Sequence, residues 1–309
     1  MMMMMMTQVV MLLSFLTVLL VHVQATAVPT FSSGISPLPS PPATALSPDQ
    51  LKETLNAFLN AFIAPNDVAQ AKEINSTFFA DDVIGTVDLS TTFVGRELNT
   101  EYTFGLFAIL AQSPTDPALY GQPVSANVTA LVIQGQTVAL GMIVMFNYLT
   151  LNKAFPVEID GFFTFNDQSK IQQYDVTFRR YAWASQIITP QLIPLMAKAI
   201  NISSTNGTYV LQQYLATRTC QGAEQYCTGD NKQYDSYDSC MSFATSIDLG
   251  EAWRLGDNNL NCRYLHTAML PLRPSVHCPH VGPSGGDMCI PRDYDAVVYG
   301  SAFQYGLDN

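Results

Sequence analysis

The sequence predicts an α+β protein: three helices followed by a cone-shaped, curved antiparallel sheet, then a small, mainly helical, disulfide-rich domain. Three observations carry this. Apolar residues recur at helical spacing up to about residue 112, the period changes to two from Val124 onward, and all six cysteines lie between Cys220 and Cys289.

The N-terminus reads as an address. Val9 to Val21 is an apolar run of about 13 residues, short of the ~20 that span a bilayer, and Ala25-Thr26-Ala27 follows as a small-x-small cleavage pattern. Residues 1–27 are therefore expected to be a signal peptide, although Met1 to Met6 replace the usual basic start. Residues 28–48 carry Pro29, Pro37, Pro39, Pro41 and Pro42 among Ser, Thr and Ala, the composition of a flexible linker.

Ser47-Pro48-Asp49-Gln50 supplies an N-cap, a proline in the first turn and a capping glutamine. Leu51, Leu55, Phe58, Leu59 and Phe62 then form one apolar face, and Pro65-Asn66-Asp67 ends this helix. Val68 to Phe79 reads as a second helix. After the run FFADDVIGTVDL, Gly95 precedes a third helix from Arg96 to about Gln112, with Leu98, Tyr102, Leu106 and Ile109 facing inward. From Val124 to Val132 apolar and polar residues alternate, which puts Asn127 on the solvent face. Gln134-Gly135-Gln136 turns the chain into Thr137 to Thr150, apolar on both faces and so a central strand. Pro156 to Phe165, a turn over Asn166 to Lys170, and Ile171 to Trp183 complete the sheet. Thr189-Pro190 opens a linking helix, and Tyr209 to Cys220 and Tyr237 to Ile247 have helical character. The expected domains are 49–185 and 186–309.

Composition excludes one class of partner and favours one compartment. Only 14 residues are basic and the formal net charge is −11, with no Lys/Arg cluster to displace phosphate counterions, so no nucleic acid is expected. An even number of clustered cysteines suits an oxidising compartment. Asn75, Asn127, Asn201 and Asn206 each begin a glycosylation triplet. The expected location is extracellular, with no membrane contact after signal cleavage. Each bridge among Cys220, Cys227, Cys240, Cys262, Cys278 and Cys289 contributes ~2–4 kcal/mol, and spacing does not choose the pairing.

The FFADDVIGTVDL run, Phe93-Val94-Gly95-Arg96-Glu97, the strand Ile159 to Phe165 and the strand Ile171 to Phe178 together resemble the nuclear transport factor 2-like (NTF2-like) superfamily, in its SnoaL-like polyketide-cyclase and ketosteroid-isomerase branch. The likeness spans about Asp49 to Ser185. It implies a half-barrel around an apolar pocket. In the isomerases an acid on the first strand moves a proton, while a helix tyrosine and a protonated aspartic acid make the oxyanion hole. Carried over, Asp88 falls near the base and Asp160 near the strand acid, each about one residue out of register, which turns a strand side chain over unless a bulge intervenes. Phe58 stands where the tyrosine would be and has no hydroxyl, which argues against steroid isomerisation. The tail from Asn261 to Cys289 is similar to tails of secreted fungal proteins of unassigned function.

The catalytic candidates are accordingly Asp88 and Asp160, with Asp82, Asp175, Tyr148 and Tyr174 as other polar groups. Asp82 has a bland alternative as a turn cap, and Asp175 as a partner of Arg179 or Arg180. His266, His277 and His280 lie close together in sequence and are weak metal candidates, because no nearby carboxylate pattern completes a site; no metal and no cofactor is expected. Gly282-Pro283-Ser284-Gly285-Gly286 looks like a protease nucleophile loop but lacks the required context, and reads as a glycine turn. The expected function is a secreted pocket protein that binds a small apolar ligand, or moves a proton on it through a carboxylate. The alternative is a non-enzymatic interaction or structural protein whose cone is filled by Phe146, Phe162 and Phe163. A homodimer through the sheet is the expected protein partner.

Overall fold

The computed structural model describes residues 45–110 and 113–300. The expected signal peptide, most of the linker and the end of the third helix lie outside the described residues. Helix α1, Pro48–Phe62, starts at the Ser47 capping box and buries Leu51, Leu55, Phe58, Leu59 and Phe62 on one stripe, as its periodicity requires. The second helix, α2, is shorter than expected. It spans Asn66–Glu73 and stops at Ile74, whose φ of 62° breaks the helix so that the chain can enter strand β1, Phe79–Val87. Strand β2, Thr92–Val94, folds back on β1.

The third helix is not continuous. Gly95, at φ 89°, leads into α3, Arg96–Thr100, followed by a π-helical turn, Glu101–Gly105, and α4, Leu106–Leu110. The wider turn carries consecutive residues to the inside, so Glu101 and Tyr102 are both buried.

Strands β3 (Gln122–Gln134), β4 (Thr137–Tyr148), β5 (Lys153–Phe165) and β6 (Ile171–Arg179) complete a six-stranded sheet in the order β2-β1-β6-β5-β4-β3. Pairing is antiparallel except between β1 and β6, which run parallel. In β4, Val138, Leu140, Met142, Val144, Phe146 and Tyr148 alternate inward, and the strand is hydrogen-bonded on both sides. Strand β3 departs from simple alternation. A register shift between Val128 and Ala130 turns the strand over, so Val128 lies opposite buried Met142 while Val132 lies opposite Ala139 and is 63% exposed. Asn127 is exposed and pairs with Ile143.

Strand β6 ends at Arg179, earlier than the alternation to Trp183 suggested. Arg180, at φ 60°, starts helix α5, Tyr181–Ala199, which passes through Pro190 and Pro194. Each proline forfeits a helical hydrogen bond. The buried stripe Tyr181, Ser185, Ile188, Leu192 and Met196 crosses both and holds the helix by packing. Helices α6 (Gly207–Tyr226), α7 (Tyr237–Ala244), α8 (Leu260–His266), α9 (Pro274–Val281) and α10 (Tyr294–Gly300) follow. Three disulfides staple them: Cys220–Cys240, Cys227–Cys278 and Cys262–Cys289. The glycine turn stands as read: Gly285 and Gly286 take φ of 74° and 58°, and a Cβ on Gly285 would overlap the Cys289 carbonyl. The described residues fall within one compact unit.

Candidate functional site

Between α1, the π-turn and the inner face of the sheet lies an apolar cavity of about 100 Å³. Its wall is aromatic: Phe58, Phe62, Phe93, Phe107, Phe163 and Phe178 all line it. Phe58 meets Phe163 with ring centroids 6.0 Å apart, and Phe163 stacks on Tyr174 at 5.9 Å. These rings arrive from α1, β5 and β6 because each strand alternates inward and outward. No carboxylate is among the lining residues.

Two lining residues come from the far end of the chain, Leu255 and Leu265. Tyr102 also lines the cavity, stacks on Phe93 at 4.0 Å, and reaches His266 Nε2 with its hydroxyl at 2.7 Å. His266 Nδ1 lies 2.7 Å from the Cys262 carbonyl, which can only accept, so Nδ1 carries the proton and Nε2 accepts from Tyr102. Burial, with the charges of Asp287 and Glu101, holds the Tyr102 phenol neutral well above its ordinary pKa. Burial, with neighbouring His280, pushes His266 well below its own.

Behind this pair the three histidines do gather, with ring centroids 4.7 Å apart for His266 and His280 and 5.3 Å for His277 and His280. Carboxylates reach them, contrary to the sequence expectation. Glu101 Oε2 lies 3.0 Å from His277 Nε2, both side chains fully buried, and Asp287 Oδ1 lies 2.8 Å from His280 Nε2. Arg273 adds ion pairs to Glu97 at 3.0 Å and Glu101 at 3.4 Å. Burial lowers the His280 pKa to about 4. The histidines do not assemble as a three-imidazole donor set. Among the described residues, the group whose donor atoms converge within 4.8 Å is Cys262, His266 and Cys289, and its two sulfurs are bonded to each other. A disulfide has no thiolate to give a metal.

The carboxylates predicted from the sequence take other positions. Asp88 is an exposed residue beyond the end of β1, between the lining residues Val87 and Leu89. Its Oδ1 accepts from the Phe178 amide at 3.0 Å and so extends the β1–β6 ladder past the last backbone pair. Desolvation raises its pKa and the backbone hydrogen bonds oppose this; exposure to water limits the net effect. Asp160 pairs with Arg179, and Glu158 takes both Arg179 and Arg180. Asp160 lies opposite Thr177 and Gly141, off the cavity wall, and the one-residue offset is the reason: Gly161 and its neighbours Ile159 and Phe163 share the opposite phase. Asp175 pairs with neither arginine. Its pKa is raised by burial and then by the charge of Asp88. Asp82 accepts from Gln172 at 2.8 Å on the surface. Tyr174 does line the cavity, with its hydroxyl 3.4 Å from Thr103 Oγ1 and its pKa pushed up to about 12 by burial. Tyr148 is buried against Phe155.

Sequence reasoning missed Leu255, Leu265 and the Tyr102–His266 bond, because all three join segments more than a hundred residues apart. Glu101 left a signal, a carboxylate beside the apolar face of a helix. A larger cleft of about 260 Å³ adjoins Cys220–Cys240, but its walls include exposed Glu224, Lys232 and Asp235, which water already solvates.

Residues 56–176 match the family model described as the BfoA N-terminal domain, and residues 180–293 match the BfoA family C-terminal domain. Aurasperone B biosynthesis cluster protein A of Aspergillus niger is 40% identical over 244 residues, covering 78% of this chain and 77% of that protein. Bifonsecin B biosynthesis cluster protein A of Aspergillus brasiliensis is 38% identical over 265 residues, 84% of this chain and 86% of that one. A solved structure from Jannaschia, assigned as a SnoaL-like polyketide cyclase, aligns with a TM-score of 0.32 and 12% identity over 45% of this chain and 94% of its own. A score of this size says nothing about activity.

Proposed function

The chain belongs to the BfoA family, and from that premise we propose that it is a secreted protein that binds a small apolar metabolite through an aromatic ring held in the cavity. The observation that supports this is the cavity wall, aromatic on several sides and without a carboxylate. An apolar cavity of about 150 Å³ holds benzene, so about 100 Å³ suits one ring held tightly. The relatives' names refer to biosynthesis clusters for small molecules, which fits a ligand of this class. Binding is favoured over carboxylate-driven proton transfer because Asp88 stands at the edge of the wall and Asp160 pairs with Arg179. The test is fluorine NMR with fluorobenzene. The expected result is saturable binding that Val176→Phe, which fills the cavity from β6, weakens at least ~10-fold; absence of binding to the wild-type protein would refute the reading.

The small volume also favours a second reading, a filled cone that acts through its outer surface. Val132, Ile143 and Phe162 are exposed, and a homodimer through the sheet would cover them. Phe162 does not fill the cone; it is 50% exposed. Asn127 shares this face with Ile143, so a glycan there and a dimer there compete for one surface. Secretion is supported by the three disulfides and by the exposure of Asn75, Asn127, Asn201 and Asn206. A mobility shift on glycosidase treatment is expected, and a monomer in sedimentation if Asn127 carries sugar.

A further inference from the structure

Leu255 and Leu265 both line the cavity from the second half of the chain, and they are held in different ways. Leu265 is fully buried on α8, a helix stapled by Cys262–Cys289. Leu255 lies on the irregular segment between α7 and α8. Its amide donates to the Leu89 carbonyl at 2.6 Å, so its side chain arrives at the turn between β1 and β2, where Val87, Leu89 and Ser90 complete the wall. The backbone approach is close. A Cβ on Gly256 would sit 2.3 Å from the Ser90 carbonyl oxygen, so only glycine lets the segment lie this near. Arg292 donates to the Gly256 carbonyl from outside, and Asn259 and Asn261 tie the segment back through the Arg254 and Gly250 carbonyls, each at 3.0 Å.

Apart from Leu89 and Ser90 on that turn, the remaining lining residues stand on strands and helices whose side chains pack closely against one another. Leu255 is the lining group on an irregular segment of the second half. We propose that Leu255 is the residue that sets ligand size: it stoppers the cavity at the β1–β2 turn, and the second half thereby determines which ring system the first half accepts. This rests on the cavity being a ligand site. The ligand class follows from the volume: a single ring fits with Leu255 in place, and two fused rings need the space that its side chain occupies.

The test compares fluorobenzene with 1-fluoronaphthalene on full-length, oxidised protein, by fluorine NMR. In a hydrophobic pocket one methylene is worth about 10-fold or more in discrimination. The wild type is expected to prefer the single ring by at least ~10-fold, Leu255→Ala to lose that preference by gaining the naphthalene probe, and Leu255→Phe to weaken fluorobenzene at least ~10-fold. Leu255→Val, the mildest change, is expected to fall between wild type and Leu255→Ala, and serves if the larger truncation unfolds. An unchanged ratio in folded Leu255→Ala or Leu255→Val overturns the proposal while leaving the cavity as a site. Failure of both probes with every variant overturns the cavity reading itself, and the stopper with it; naphthalene binding gained only on truncation supports the stopper.

Discussion

The two halves of the molecule solve the same problem with opposite materials. The sheet half lines its cavity with rings and aliphatic chains, and that wall carries no charge. The second half buries Arg263, His266, His277, His280, Asn259 and Asn261 within one short stretch and adds three disulfides. Arg263 is fully buried and donates to the Gly282, Asn259 and Pro283 carbonyls and to Asn258 Oδ1, with its guanidinium over the Phe243 ring. Burial lowers its pKa. A volume-conserving swap in an apolar wall costs little, whereas a buried hydrogen-bond network is left with unsatisfied groups when one member is removed. The second half should therefore be the more fragile to single substitutions and to conditions.

The largest expected effect is loss of the Cys227–Cys278 bridge. It closes the longest loop, a separation of 51 residues, so Cys227→Ala with Cys278→Ala should cost about 4 kcal/mol against about 3 for the bridge closing 20, read by urea unfolding. Arg263→Ala should cost about 3 kcal/mol by the same measurement, because several buried carbonyls lose their donor at once. If it costs less than a conservative trimming of Phe58 in the cavity wall, the contrast between the halves is wrong.

Acid sharpens the comparison further. His280 has a folded pKa of about 4, below its ordinary 6.5, so the unfolded chain takes up the proton first. The contribution of His280 to stability is therefore full above pH 6.5 and is lost as the pH drops toward 4, by about 3 kcal/mol in all. His266 shifts in the same direction. Hydrogen exchange should show α8 and α9 losing protection before the sheet does, and His280→Gln should flatten that part of the profile. The smallest effect is expected at Asp160→Asn, under about 1 kcal/mol, because its partner Arg179 is nearly half exposed. Fluorobenzene binding should be unchanged in this variant.

Sequence periodicity was informative where packing is local. The α1 stripe from Leu51 to Phe62 and the alternation in β4 stand in the structure as their spacing requires. It was less so where tertiary contact overrides local preference: α5 passes two prolines because its buried stripe continues, and one residue too many near Thr129 reverses the faces of β3. The candidate site was half legible. Phe58 and Tyr174 stand in the cavity wall, but a strand's phase is uncertain by one residue without its bulges, and that was enough to leave Asp160 beside Arg179. Spacing carries no information about Tyr102 meeting His266, 164 residues away.

The remoteness of Leu255 and Leu265 sets an order in time. A chain leaving the ribosome presents Phe58 first and Phe178 much later, and the cavity wall is incomplete until residues 255 and 265 have been made. The enclosed space is thus among the last things the chain builds. A chain cut short after the sheet would lack both of these leucines, and the part of the wall that they cover would face water.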